Sequence, residues 1–190
     1  MNRQTQPLSD RAATALPRLP KGQRQELYNR VNVTSKHSGR QVIGLVIWIA
    51  AVFAVAMVSA QFKPGPWYFE LIKPPLTPPN WVFAPVWTLL YLGMAVAAWR
   101  VWRTGEGPDR RRALMLFVLQ LLVNGFWSYL FFGRHEIGAA LVDIAALVLL
   151  LAVTATRFWR IDKPASTLLW PYLAWVSFAS YLNLGLWLLN

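Results

Sequence analysis

Five apolar runs constrain this chain more than any other feature. They lie near 41–62, 80–103, 110–132, 137–159 and 165–189. Each reaches the ~20 residues that a helix needs to cross ~30 Å of hydrocarbon. The connections near 104–109, 133–136 and 160–164 are short, so neighbouring helices pack antiparallel. The expected fold is an all-α integral membrane protein, a bundle of five transmembrane helices with one long folded loop between helices 1 and 2.

That loop, residues 63–79, is the exception to the short connections. It is apolar and aromatic, with Trp67, Tyr68, Phe69, Leu71 and Ile72, and so is expected to fold back over the bundle. Five prolines (Pro74, Pro75, Pro78, Pro79, Pro85) fall within twelve residues. Proline locks φ and pushes its predecessor out of the helical region, so residues 73–79 are stiff and extended. Asn80 offers a helix cap. A rigid loop thus feeds a spanning helix whose first turns carry Trp81, Pro85 and Trp87, a rim for a binding cavity.

Charge fixes how the bundle sits. The formal net charge is +11, yet only 14% of residues are charged and mean hydropathy is +0.35. In a soluble chain this excess would point to nucleic acid. Here the cations flank the apolar runs, so no nucleic-acid partner is expected and the bilayer is the partner. With five spans, sixteen Lys/Arg fall on the side of the N-terminus and three (Lys63, Lys73, Arg134) on the other. The asymmetry places the N-terminus on the cytoplasmic side of a bacterial cell membrane, with the mitochondrial outer membrane as the alternative residence.

Residues 1–40 are polar and proline-punctuated, with eight Lys/Arg against Asp10 and Glu26. They are expected as a basic, mostly disordered N-terminal extension, with room for a short helix around Lys21–Val31, ahead of a membrane domain over 41–190. A cleaved signal peptide fits poorly; the Arg-rich, acid-poor composition is also that of a mitochondrial-type transit peptide. Cysteine is absent, and His37 and His135 lie in different segments, so no metal site is expected. His135 reads as part of a solvated turn rather than a haem ligand.

Polar groups inside the spans need partners and raise a functional hypothesis. Gln120, Asn124 and Ser128 lie on one face of the third helix, with Trp127 beside it. Trp87, Tyr91 and Met94 form a stripe on the second; Tyr172, Trp175, Ala179 and Asn183 form one on the fifth; Asp143 sits on the fourth. A shared cavity would collect all of these. The alternative is that Gln120, Asn124, Asp143 and Asn183 only join helices, and that the aromatic stripes only pack.

Several motifs carry a resemblance. Trp67-Tyr68, Lys73-Pro74 through Pro78-Pro79, Trp81 through Trp87 and Tyr91, then Gln120 to Asn124, Phe131-Phe132-Gly133, Ala140 to Asp143, and Pro171 to Trp175 with Leu182-Asn183 resemble the tryptophan-rich sensory protein family, also called translocator proteins or peripheral benzodiazepine receptors. The resemblance covers roughly residues 42–189. It implies a cavity for planar hydrophobic ligands, porphyrins among them, beneath the loop between the first two helices. It implies that Tyr68, Pro78, Trp87, Tyr91, Asn124, Trp127, Asp143, Trp175 and Ala179 line that cavity, and that the chain forms a homodimer. The chain departs from the family at Leu76, where a Trp is common, which suggests a lost aromatic wall. It also lacks the sterol motif of animal members near the C-terminus, and its third helix has Gly125 without a second small residue four away. Ala50/Ala54 and Gly93/Ala97 are alternative close-packing pairs.

The resulting expectation is a membrane receptor or carrier for porphyrins (tetrapyrroles, haem-type included) and similar planar ligands, with a regulatory or stress-sensing role and no obligatory cofactor. Two alternatives stand beside it. One is light- or oxygen-dependent porphyrin degradation with Trp87 and Trp175 as oxidisable partners; the other is a small-molecule transporter. The chain offers no nucleophile–base pair or nucleotide motif, so no conventional catalytic residues are named. The charge split makes one direct prediction. Cysteines placed singly at Gly65 and Gly105 should react from opposite sides with an impermeant reagent; equal labelling from one side would sink the five-span topology.

Overall fold

The protein was analysed as a computed structural model that describes residues 20–190. The elements are α1 (Lys21–Ser59), α2 (Pro66–Glu70), a 3-10 turn (Asn80–Val82), α3 (Phe83–Arg103), α4 (Pro108–Ser128), a π turn (Tyr129–Gly133), α5 (Ile137–Ile161), α6 (Lys163–Thr167) and α7 (Trp170–Leu189). Two compact units divide at Gly44. In the first, the backbone is helical from Lys21, where at most a short helix was expected. The rest of the expected N-terminal extension, residues 1–19, lies outside the described residues. The second unit, Gly44–Asn190, is the bundle.

Among the described residues, five helical segments are long and apolar enough to cross a membrane: Gly39–Ser59, Asn80–Arg103, Pro108–Gly133, Ile137–Ile161 and Lys163–Leu189. They match the apolar runs to within a few residues at each end. The chain is an integral, multi-pass membrane protein. Its surface chemistry follows: on α5, Val142 and Leu149 are 72% and 69% exposed and lie on one helix face, where lipid rather than water meets them. The last span is not one helix. It breaks between α6 and α7, because Pro171 in the first turn of α7 has no N–H to continue a preceding helix.

α5 is the central element, packing on α4 along one side and on α7 along the other. α1 reaches α4 through small residues. A Cβ on Gly125 would stand 2.8 Å from Val55 Cγ1. At the basic end the helices are pinned by polar contacts. Arg100 Nη2 pairs with Asp162 at 3.1 Å, and the same carboxylate accepts from Ala165 N to cap α6. Arg110 Nη1 donates to Trp102 O at 2.7 Å, and Ser166 Oγ to Ala155 O at 2.8 Å. The arginines at this end thus fasten helix ends.

At the opposite end the long loop folds onto the bundle, as its aromatic content predicts. Its C-terminal half lies on α7. Ile72 N donates to Asn190 Oδ1 at 2.9 Å, and Asn190 Nδ2 returns a bond to Ile72 O at 3.1 Å. Tyr181 Oη donates to Pro75 O at 3.1 Å. Between these contacts Pro74 is buried against Gly185. Its N-terminal half lies on the α4–α5 turn. Phe62 rests on Gly133, and Trp67 stacks on His135 at 4.1 Å with planes 14° apart. The turn at His135 is tight as expected, with φ +59, but its imidazole is a stacking platform for the loop.

The Pro74–Gly185 contact has no room for a side chain. A Cβ on Gly185 would stand 2.6 Å from Pro74 Cβ, and the proline ring cannot rotate away. Overpacking of this kind costs about 1–3 kcal/mol. Gly185→Ala should lower the thermal midpoint in detergent and speed proteolysis within residues 71–79; an unchanged midpoint and cleavage rate would show that the loop is not seated there.

Candidate functional site

A cavity of about 600 Å³ opens beneath α2 and the loop. This volume is in the range of small-molecule sites, ~300–1,000 Å³. It is walled by the end of α1, by α2, by the first turns of α3, by α4 and by α7, with Ile144 from α5. The sequence puts aromatic groups on each wall. Trp87 and Tyr91 project from successive turns of α3, Trp127 from α4, and Trp175 from α7 one turn after Pro171. Tyr68 of α2 closes the roof.

Seven of the nine expected residues meet here: Tyr68, Trp87, Tyr91, Asn124, Trp127, Trp175 and Ala179. Trp87 and Trp175 line the same space but keep different neighbours. Trp87 packs with Tyr91 and Tyr172, whereas Trp175 packs with Phe83 and Phe178. The remaining two residues lie elsewhere. Pro78 is in the loop but not on the cavity wall; Pro64 is the loop proline that lines the cavity, and Pro74 is buried against Gly185 on α7. Asp143 is half-buried on α5, one residue before Ile144, and its Oδ2 has no hydrogen-bond partner among the described residues. Of the nearby donors, Trp127 Nε1 is spent on Asn183 and Asn183 Nδ2 on the Ile137 carbonyl, whereas Trp175 Nε1 is also buried without a partner among the described residues.

Leu76 also corrects an expectation. It is 78% exposed, has φ +66 and does not line the cavity. A smaller side chain at 76 therefore removes no wall, since position 76 points away from the site.

Two polar pairs cross the cavity. Tyr91 Oη donates to Asn124 Oδ1 at 2.9 Å, tying α3 to α4. Trp127 Nε1 donates to Asn183 Oδ1 at 3.0 Å, and Asn183 Nδ2 donates to Ile137 O at 3.0 Å, tying α4, α7 and the start of α5. Asn124 and Asn183 thus join helices and also line the cavity, so the two readings of these residues hold together. Gln120, one turn from Asn124, is fully buried outside the cavity and its amide has no partner among the described residues. Met94 and Tyr172 complete their stripes as core.

The roof has its own chemistry. Lys73 Nζ donates to Tyr68 O and to Leu71 O, and lies 4.5 Å from the centroid of the Tyr68 ring. The Tyr68 ring also meets Phe131 and Phe132 edge-on. Burial pushes the Tyr68 hydroxyl above its ordinary range, so it stays a protonated donor at neutral pH. Sequence reasoning missed several lining groups, among them Ser59, Lys63, Asn80 and Phe83. Asn80 and Phe83 adjoin the proline-rich stretch and their proximity was a usable signal. Lys63 had none, because its place depends on how α1 ends.

Residues 43–188 match the sequence pattern of the TspO/MBR family. The chain is 43% identical over 155 residues to the tryptophan-rich protein TspO of Chlorobaculum tepidum, covering 80% of this chain and 98% of that protein. It is 37% identical over 151 residues to the translocator protein of Bos taurus, covering 74% and 89%. It is 38% identical over 143 residues to the tryptophan-rich sensory protein of Cereibacter sphaeroides, covering 75% and 89%.

The Asn183 pair gives a stability prediction. Asn183→Leu leaves the Trp127 N–H and the Ile137 carbonyl without their partner, a loss of about 1–2 kcal/mol in a membrane interior. Thermal unfolding in detergent should report a lower midpoint for this variant than for Ser177→Ala, whose hydroxyl only returns to Leu173 O on its own helix.

Proposed function

Because the chain belongs to the TspO/MBR family, we propose that it is a membrane receptor or carrier that binds porphyrins and similar planar hydrophobic ligands in this cavity, in a regulatory or stress-sensing role. One observation carries the reading: three indoles and two phenols surround about 600 Å³, and the amide oxygens of Asn124 and Asn183 are occupied by the Tyr91 hydroxyl and the Trp127 N–H. Such a space favours a flat, largely apolar guest. Indole faces stack on extended π systems, and the residual polar edges of Asn124, Ser128 and Asn183 give a few fixed points. The sensory and translocator names of the relatives are consistent with a receptor or a carrier. Assembly as a homodimer belongs to the same proposal.

Stacking on an indole is worth about 0.5–1.5 kcal/mol beyond area burial, and burial of the ring against a ligand adds ~2 kcal/mol. Trp175→Ala should therefore weaken protoporphyrin binding at least about tenfold, as ~1.4 kcal/mol is a factor of ten. Trp48→Ala, whose ring packs on Phe117 outside the cavity, should leave affinity near the parent value. A folded Trp175→Ala protein with unchanged affinity would remove Trp175 from the site.

A further inference from the structure

The cavity's lip carries a group that neither the aromatic stripes nor the stacking argument uses. Among the residues lining the cavity, Lys63 alone bears a formal charge. Its position is set on both sides. Phe62 is wedged against Gly133 and meets the Tyr129 ring at 5.4 Å, and Pro64 fixes the backbone that follows. Lys63 is exposed, so its ammonium stays hydrated at the mouth while its stem borders the apolar space.

The neighbouring cation is committed elsewhere: Lys73 is held by the Tyr68 and Leu71 carbonyls and by the Tyr68 ring. Deeper in, the Tyr91 hydroxyl and the Trp127 N–H are spent on Asn124 and Asn183. Among the described residues, no carboxylate lines the cavity beside Lys63. The Trp175 N–H is buried without a partner among the described residues but is neutral, so the formal charge of the site lies at its lip. A flat ligand with an anionic edge gains from entering plate-first and leaving that edge at the mouth. A neutral ligand of the same shape gains only the interior.

We propose that Lys63 is a specificity-determining residue, selecting planar ligands that carry a carboxylate edge and orienting them edge-outward. This rests on the porphyrin reading above and adds to it a charge preference and a direction.

The test compares protoporphyrin, a dicarboxylate, with its dimethyl ester in a neutral detergent. The parent protein should bind the dicarboxylate about three- to fivefold more tightly, an exposed ion pair's typical worth, and the margin should shrink at high salt. Lys63→Gln should bind both forms alike with no salt dependence, and Lys63→Arg should restore the preference. A Lys63→Gln protein that keeps the preference overturns the proposal, as does a parent protein that binds both forms equally; in either case porphyrin binding itself stands. A parent protein that binds neither form overturns both the porphyrin reading and this one.

Discussion

The bilayer sets one constraint from which most of this structure follows: a polar group placed in hydrocarbon must find a partner within the protein. The backbone meets it by being helical through five spans. The side chains meet it by pairing across helices near the loop end of the bundle. Asn183 does so twice, accepting from Trp127 and donating to the Ile137 carbonyl. These bonds hold α4, α5 and α7 at a fixed spacing. Where the paired groups also face the cavity, the bonds that keep helices together are the same bonds that shape its wall. Asn183, with both ends of its amide engaged, presents little unspent polarity to a guest, and Asn124 has its oxygen occupied by Tyr91, which is why this interior still suits an apolar plate.

The loop meets the same constraint differently. Residues 71–79 have few regular backbone bonds, and prolines reduce the number of N–H groups that need them. Some of what remains is satisfied by α7, as Asn190 pairs both polar groups of Ile72 and Tyr181 reaches the carbonyl of Pro75, and some by the loop itself, as Lys73 donates to Leu71 O and Thr77 to Pro74 O. Rigidity matters as much as bonding. A proline-rich segment has little conformational freedom to lose on docking, so modest contacts hold it. The roof is thereby formed before any ligand arrives, and binding need not order it, which is the advantage of preorganisation.

What the sequence revealed and what it concealed divide along one line, local pattern against distant contact. Span lengths are local, and the expected runs agree with the observed helices to a few residues. Helix faces are local too, so Trp87, Tyr91, Asn124, Trp127, Trp175 and Ala179 could be gathered toward one space by periodicity together with a family resemblance. The failures are contacts between remote positions. Asn190 and Ile72 are 118 residues apart, and nothing near either residue announces the pair. Proline composition showed that residues 73–79 are not helical, but neither the turn at Pro75–Leu76, where Leu76 takes φ +66, nor which ring is buried. That choice is made by Gly185, which accepts Pro74 and leaves Pro78 off the wall. The π turn at Tyr129–Gly133 likewise reads as ordinary apolar helix until Gly133 is seen to receive Phe62.

The eleven tryptophans show how one residue type serves two ends of the same physics. An indole is a large apolar plate with a single N–H, so it is stable wherever an apolar region meets one acceptor. At span ends that boundary is the membrane interface. Trp81, Trp159, Trp170 and Trp187 are exposed there, and Trp159 lies near the Lys163 ammonium. Inside the bundle the boundary is the cavity wall, where Trp87, Trp127 and Trp175 stand. Composition cannot separate the two groups, because the residue's chemistry is the same in both. Position relative to the loop can. The cavity indoles lie below a roof that α7 holds in place, and the interface indoles lie outside it. The docking of the loop on α7 is thus what turns a tryptophan-rich bundle into one with an enclosed aromatic site.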